Sequence, residues 1–141
     1  MSIGVNLLFA LTKMAAKALN NRNFQAEMME IHHGKKKDAP SGTARTLEKI
    51  LLESMSLNPE VTYGRSGMVG ERKPKELGVF ALRGGDVVGD HTVYFLGDGE
   101  RIELKHQALN RDVFAKGALE AALFLADKPS GMYSMAEVLN I

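Results

Sequence analysis

Between Glu30 and Ala44 the chain reads Glu-Ile-His-His-Gly-Lys-Lys-Lys-Asp-Ala-Pro-Ser-Gly-Thr-Ala, which puts two imidazoles, three ammonium groups and a helix-start signature in one short segment. An imidazole can exchange a proton near neutral pH, and a neighbouring lysine can supply a second acid. Ser41 is a good N-cap residue, so the amides of Ser41, Gly42 and Thr43 fall in a first helical turn that has no carbonyls to receive them. Glycine at position 42 lets a ligand approach the backbone, and the positive end of the helix dipole favours a carboxylate or phosphate there. His32 and His33, adjacent on a strand end, point to opposite sides and so divide two tasks: one exchanges a proton, the other donates a hydrogen bond to an anion. Each feature alone has an ordinary reading as a cap, a solvated loop or a hydrogen-bonded histidine. Their coincidence in one segment marks a site.

The charge distribution agrees. The chain carries a net +1, yet His32 to Arg45 alone holds +3, leaving the remainder negative. A cationic patch so local suits capture of a small anion better than tracking along nucleic acid, and with aromatic residues at only 6% there is no aromatic-basic interleaving to stack bases. The absence of cysteine excludes thiolate catalysis, disulfides and Cys-ligated metal, and fits a reducing, cytoplasmic setting. The apolar run Ile3–Leu11, broken by Asn6, is too short to span a bilayer and lacks a secretory leader's pattern, so no membrane is expected.

The elements that must position this segment follow from periodicity. Leu7, Leu8, Leu11, Met14, Ala15, Ala18 and Leu19 recur at helical steps over Gly4–Asn20. Phe24 to Ile31 reads as a strand delivering Glu30 to His33 to a sheet edge, and a helix with Leu47, Ile50, Leu51 and Met55 inward starts at Ser41. Val61–Tyr63 is a short strand and Gly64–Leu77 an exposed loop. Gly78–Arg83, Val87–Leu96 and Glu100–Leu109 are strands, the last two joined by Gly97-Asp98-Gly99. In the last of these, Ile102, Leu104 and His106 share one face. Asp112–Ala126 is a helix with Val113, Phe114, Ala118, Leu119, Ala122 and Leu123 in a stripe, and an apolar terminal segment follows. One domain over residues 1–141 results: α+β, a mixed sheet with helices on one face, its other face calling for a partner. His91 and His106 read as hydrogen-bonded sheet residues, no metal-ligand spacing recurs, and the eight methionines read as core filler.

Glu30-Ile31-His32-His33, Lys36 and Asp38-Ala39-Pro40-Ser41-Gly42-Thr43-Ala44 resemble the signature of the 4-hydroxy-tetrahydrodipicolinate (dihydrodipicolinate) reductase family of lysine and diaminopimelate biosynthesis. Gly70-Glu71-Arg72, Arg83 to Thr92, Gly99-Glu100-Arg101 and Arg111 to Gly117 resemble the same family in the expected order, so the likeness covers nearly the whole chain. The resemblance implies His32 as proton donor or acceptor and Lys36 as proton donor, with His33, Ser41, Gly42 and Thr43 binding a small dicarboxylate substrate. It further implies a homotetramer assembled through the sheet, and a reaction that takes hydride from NADPH or NADH.

Gly34 and Lys35 stand where relatives can carry arginine and histidine. The family's dinucleotide-binding Rossmann domain has no counterpart in this sequence: Gly64-Arg65-Ser66-Gly67-Met68-Val69-Gly70 has the wrong spacing and no following helix. The expectation is therefore a C-terminal substrate-binding, catalytic and oligomerisation domain, a piece of a longer protein, with residues 111–141 packing on the absent domain, no cofactor bound by this chain alone and no turnover in isolation. Two alternatives from other classes are an assembly module and a non-enzymatic small-anion-binding domain.

Overall fold

A computed structural model describes residues 1–141. The first helix, α1 (Ile3–Leu19), is capped by Ser2, whose Oγ accepts from the Val5 amide at 3.3 Å. Strand β1 (Gln25–His32) leads through the cationic loop to α2 (Gly42–Ser54), capped by Ser41 as its type predicts. Strands β2 (Val61–Thr62), β3 (Leu77–Arg83), β4 (Gly89–Gly97) and β5 (Glu100–Ala108) follow, then α3 (Asp112–Leu125) and a short α4 (Met135–Leu139).

The sheet is mixed, in the order β2-β3-β1-β4-β5, with β1 central, parallel to β3 and antiparallel to β4. Its register puts Ala26, Met28, Glu30 and His32 of β1 on one face, beside Val79 and Arg83 of β3 and His91, Val93 and Phe95 of β4. Helices α1 and α2 cover this face, and Leu8, Ala16, Ala44, Leu47 and Leu51 close the core against Met28, Val79, Val93 and Phe95. The opposite face, with Met29, Ile31, Phe80, Leu82 and Tyr94, carries no helix. The expected α+β architecture with helices on one side of a mixed sheet is what the chain adopts.

Two amphipathic stripes differ from expectation. The buried face of α1 is Val5, Leu8, Thr12 and Ala16, while Leu7 and Met14 are exposed. The helix is turned so that Leu8 and Ala16 join the core on the side of buried Thr12, with Phe9, Ala15 and Leu19 packed at its margin. In α3 only Gly117 and Ala121 are buried, and Phe114, Leu119 and Leu123 of the predicted stripe face outward. Gly117 is where the chain start crosses: a Cβ there would lie 1.8 Å from the Met1 carbonyl oxygen. That crossing seats α3 by its narrow face and leaves the broad apolar one bare. The loop before β3 is exposed but not free, since Arg65 and Arg72 bond Glu27 of β1 and Glu76 at the loop's end.

Candidate active site

The inner face of the sheet changes character along its length. At one end Ala26, Met28 and Phe95 are packed as core; at the other, in the same alternation, stand Glu30 and His32, with His91 opposite Glu30 on β4. An ionised carboxylate this far from water must be compensated. Glu30, 0% exposed, is compensated four times. Arg83 donates from both guanidinium nitrogens, to Oε2 at 2.7 Å and to Oε1 at 2.8 Å, the amide of Ser41 donates to Oε1 at 2.9 Å, and Nδ1 of His32 lies 2.5 Å from Oε2. Burial pushes the Glu30 carboxyl up, but the bonds from Arg83, His32 and Ser41 outweigh it and hold it below the usual carboxylate range.

Ser41 is the joint between sheet and helix. Its amide goes to Glu30, its Oγ accepts from the Ala44 amide at 3.2 Å, and the same Oγ lies 2.9 Å from Nε2 of His91. The amides of Gly42 and Thr43 have no acceptor in the chain, so these two form the open end of the helix. Gly42 is exposed and Thr43 half-buried, with nothing within 4 Å of where a Gly42 Cβ would stand. The result is a donor pair at a positive helix end, open to a carboxylate.

The remaining candidates sit on the loop that joins these two parts. His33 follows the strand, its amide bonded to the Val87 carbonyl at 2.8 Å, and its side chain is half-buried. Lys36 reaches the Asp38 carboxylate at 2.8 Å and holds that carboxyl below its usual range. Arg83 also donates to the Asp38 carbonyl at 2.8 Å, so one guanidinium braces both Glu30 and the lysine loop. His32 and His91 meet edge to face with ring centroids 5.2 Å apart. Burial, and then the neighbouring His32, push the His91 imidazole down to about 4, so it is neutral at physiological pH.

Of the sequence-predicted residues, His32 and Ser41 are brought together through Glu30, Gly42 and Thr43 open the helix beside them, and Lys36 and His33 flank them on the loop. Two partners carry no role in the sequence reading: Glu30, the hub, and Arg83, its counterion. The signal for Glu30 is its position in the strand alternation, a carboxylate in phase with Ala26 and Met28. His91 is the hydrogen-bonded sheet residue expected of it. His106 is on the helix-covered face, but its Nδ1, like that of His91, is buried without a partner. No group of three or more His, Asp or Glu side chains is placed to hold a metal ion. Gly64, Gly67 and Gly70 lie in the irregular segment between β2 and β3, away from any strand-to-helix turn, so these glycines form no cradle for a dinucleotide pyrophosphate.

Comparison with known proteins gives one answer. Residues 4–139 match the model of the family described as dihydrodipicolinate reductase, C-terminus. A 4-hydroxy-tetrahydrodipicolinate reductase of Aquifex aeolicus is 60% identical over 141 residues, covering 100% of this chain and 52% of that protein. One of Methanopyrus kandleri is 56% identical over 139 residues, covering 99% of this chain and 50% of its own. The chain spans about half the length of the curated relatives it matches. Its fold is shared by the dipicolinate-bound dihydrodipicolinate reductase of Paenisporosarcina sp. TG-14, with a TM-score of 0.66 and 23% identity over 99% of this chain and 48% of that one.

Proposed function

Because the chain belongs to the dihydrodipicolinate reductase C-terminal family, we propose that it is the substrate-holding half of a 4-hydroxy-tetrahydrodipicolinate reductase acting in cytoplasmic lysine and diaminopimelate biosynthesis. The observation that carries the reading is the open helix start at Gly42 and Thr43 beside the Glu30–His32 pair. It offers carboxylate-holding donors and proton-handling groups in one place. The solved relative of the same fold is a dipicolinate complex, and a planar dicarboxylate of that kind suits two separated anion-holding points.

In this reading the amides of Gly42 and Thr43 hold one carboxylate, and His33 donates to the substrate from the loop. Ser41 contributes by fixing the turn that aims those amides. His32 exchanges a proton and Lys36 donates one to the reduced substrate, leaving Asp38 to do so. NADPH or NADH supplies the hydride in the complete enzyme, held outside this chain. The sheet face bearing Met29, Ile31, Phe80, Leu82 and Tyr94 is the assembly surface of a homotetramer, supported by its lack of any helix cover and by the assembly the family resemblance implies. Sedimentation of the chain alone then gives a tetramer, and a monomer would contradict that assignment.

In the complete enzyme containing this chain, Lys36→Ala lowers kcat by about a hundredfold or more, as loss of a positioned general acid does, with a smaller change in KM. Wild-type kcat in that variant would contradict the role of Lys36.

A further inference from the structure

We propose that Glu30 is a positioning residue that fixes His32 as the Nδ1–H tautomer and so presents its Nε2 as the proton acceptor of the site. The inference rests on the reading of His32 as the proton-exchanging group, and it names what prepares that group. An ionised carboxylate only accepts, so the 2.5 Å contact between Oε2 and Nδ1 requires the proton on Nδ1. In a neutral imidazole the lone pair is then on Nε2. That nitrogen lies against Gly89, where a Cβ would come within 2.9 Å of it, so the absence of a side chain at 89 is what leaves room for the ring. Glu30 stays ionised because Arg83 and the Ser41 amide bond both of its oxygens. Through Ser41 the same carboxylate also pins the start of α2, so the proton acceptor and the anion-holding amides keep a fixed relation.

The geometry makes a specific statement about Glu30→Gln. The new amide must put its NH2 in the place of one oxygen. At Oε1 it would face the Ser41 N–H and an Arg83 N–H, neither of which can accept. At Oε2 it would face an Arg83 N–H and His32 Nδ1, and of all four partners only His32 can turn acceptor, by moving its proton to Nε2. The glutamine therefore takes the second orientation and inverts the tautomer of His32.

The test is nitrogen-15 NMR of the histidine rings in this chain, at a pH where His32 is neutral. Wild type is expected to show the proton on Nδ1 of His32, and Glu30→Gln to show it on Nε2 with an otherwise native amide spectrum. A merely structural carboxylate would leave the tautomer where it was. A wild-type ring protonated on Nε2, or a folded Glu30→Gln that keeps Nδ1–H, overturns the proposal. If the variant does not fold, the wild-type spectrum decides alone. Titrating the same wild-type sample with pyridine-2,6-dicarboxylate separates the two claims, because absence of binding contradicts the functional reading while the tautomer result stands by itself.

Discussion

Glu27 and Glu30 are three residues apart on β1, point to opposite faces of the sheet, and are both held by arginine. Their surroundings differ. Glu27, with a side chain 13% exposed, shares Arg65 and Arg72 with Glu76, in a cluster of charged side chains completed by backbone carbonyls of Ala26, Lys73 and Glu76 and by the Lys73 amide. Glu30 is fully buried and accepts from Arg83, from the His32 imidazole and from the Ser41 amide at the start of α2. The first cluster fastens the segment from Arg65 to Glu76 to the sheet. The second fastens His32 and the start of α2, where the Gly42 and Thr43 amides have no acceptor in the chain, to the sheet. Burial separates these roles: a partly wet ion pair contributes little and tolerates exchange, whereas a buried one makes each of its partners depend on the others.

The largest expected effect from breaking this contrast is that of Glu30→Ala. It leaves Arg83, the Ser41 amide and Nδ1 of His32 without their common acceptor, and should lower unfolding free energy by about 3 kcal/mol in urea titrations while abolishing dicarboxylate binding. A loss no greater than that of Glu27→Ala would erase the distinction between the two clusters.

Acid provides the next test. The folded-state pKa of His91 is lowered from 6.5 to about 4, so the unfolded chain binds the proton more readily and the folded state loses ground as pH falls. The contribution is complete above 6.5 and should shrink by roughly 1.5 kcal/mol between pH 6.5 and 5. His91→Gln should flatten that slope in pH-dependent denaturation. Below this window Glu30 adds its own share, for a depressed carboxyl stabilises the fold above its unfolded pKa of 4.5 and ceases to do so as pH falls through the folded value.

Glu27→Gln should cost less, about 1 kcal/mol, because Arg65 and Arg72 keep Glu76 and the loop carbonyls. Its readout is local: proteolysis between Arg65 and Lys75 should quicken while affinity for pyridine-2,6-dicarboxylate stays as in wild type. Smallest of all is Glu53→Gln in the exposed Lys49–Glu53 pair, at 3.9 Å, expected to change stability by under about 0.5 kcal/mol.

Sequence and structure meet most closely where a pattern is local. Ser41 as an N-cap, the hairpin at Gly97-Asp98-Gly99 and the alternation of Ile102, Leu104 and His106 depend on neighbours in the chain, and all are present as read. The motif from His32 to Thr43 is legible for the same reason. Glu30 and Arg83 are 53 residues apart, and their pairing depends on β1 lying beside β3, which no local pattern states. Helix α1 is legible only in part: Leu8, Ala15 and Leu19 of its apolar stripe pack on the core, whereas Leu7 and Met14 face outward and Val5, Thr12 and Ala16 are buried. In α3 the hydrophobic stripe is real, but Phe114, Leu119 and Leu123 face outward and only Gly117 and Ala121 are buried.

The central claim, that the start of α2 holds a carboxylate, is tested most directly by removing one amide without disturbing the helix. Gly42 is the first helical residue, where proline is tolerated, and Ser41 already has the extended backbone, φ −65° and ψ 163°, that precedes proline. Calorimetric titration with pyridine-2,6-dicarboxylate should show binding to wild type and, for a Gly42→Pro variant of unchanged melting temperature, a loss of roughly tenfold or more, the worth of one hydrogen bond to a charged group. Equal affinity in the two proteins would contradict the account.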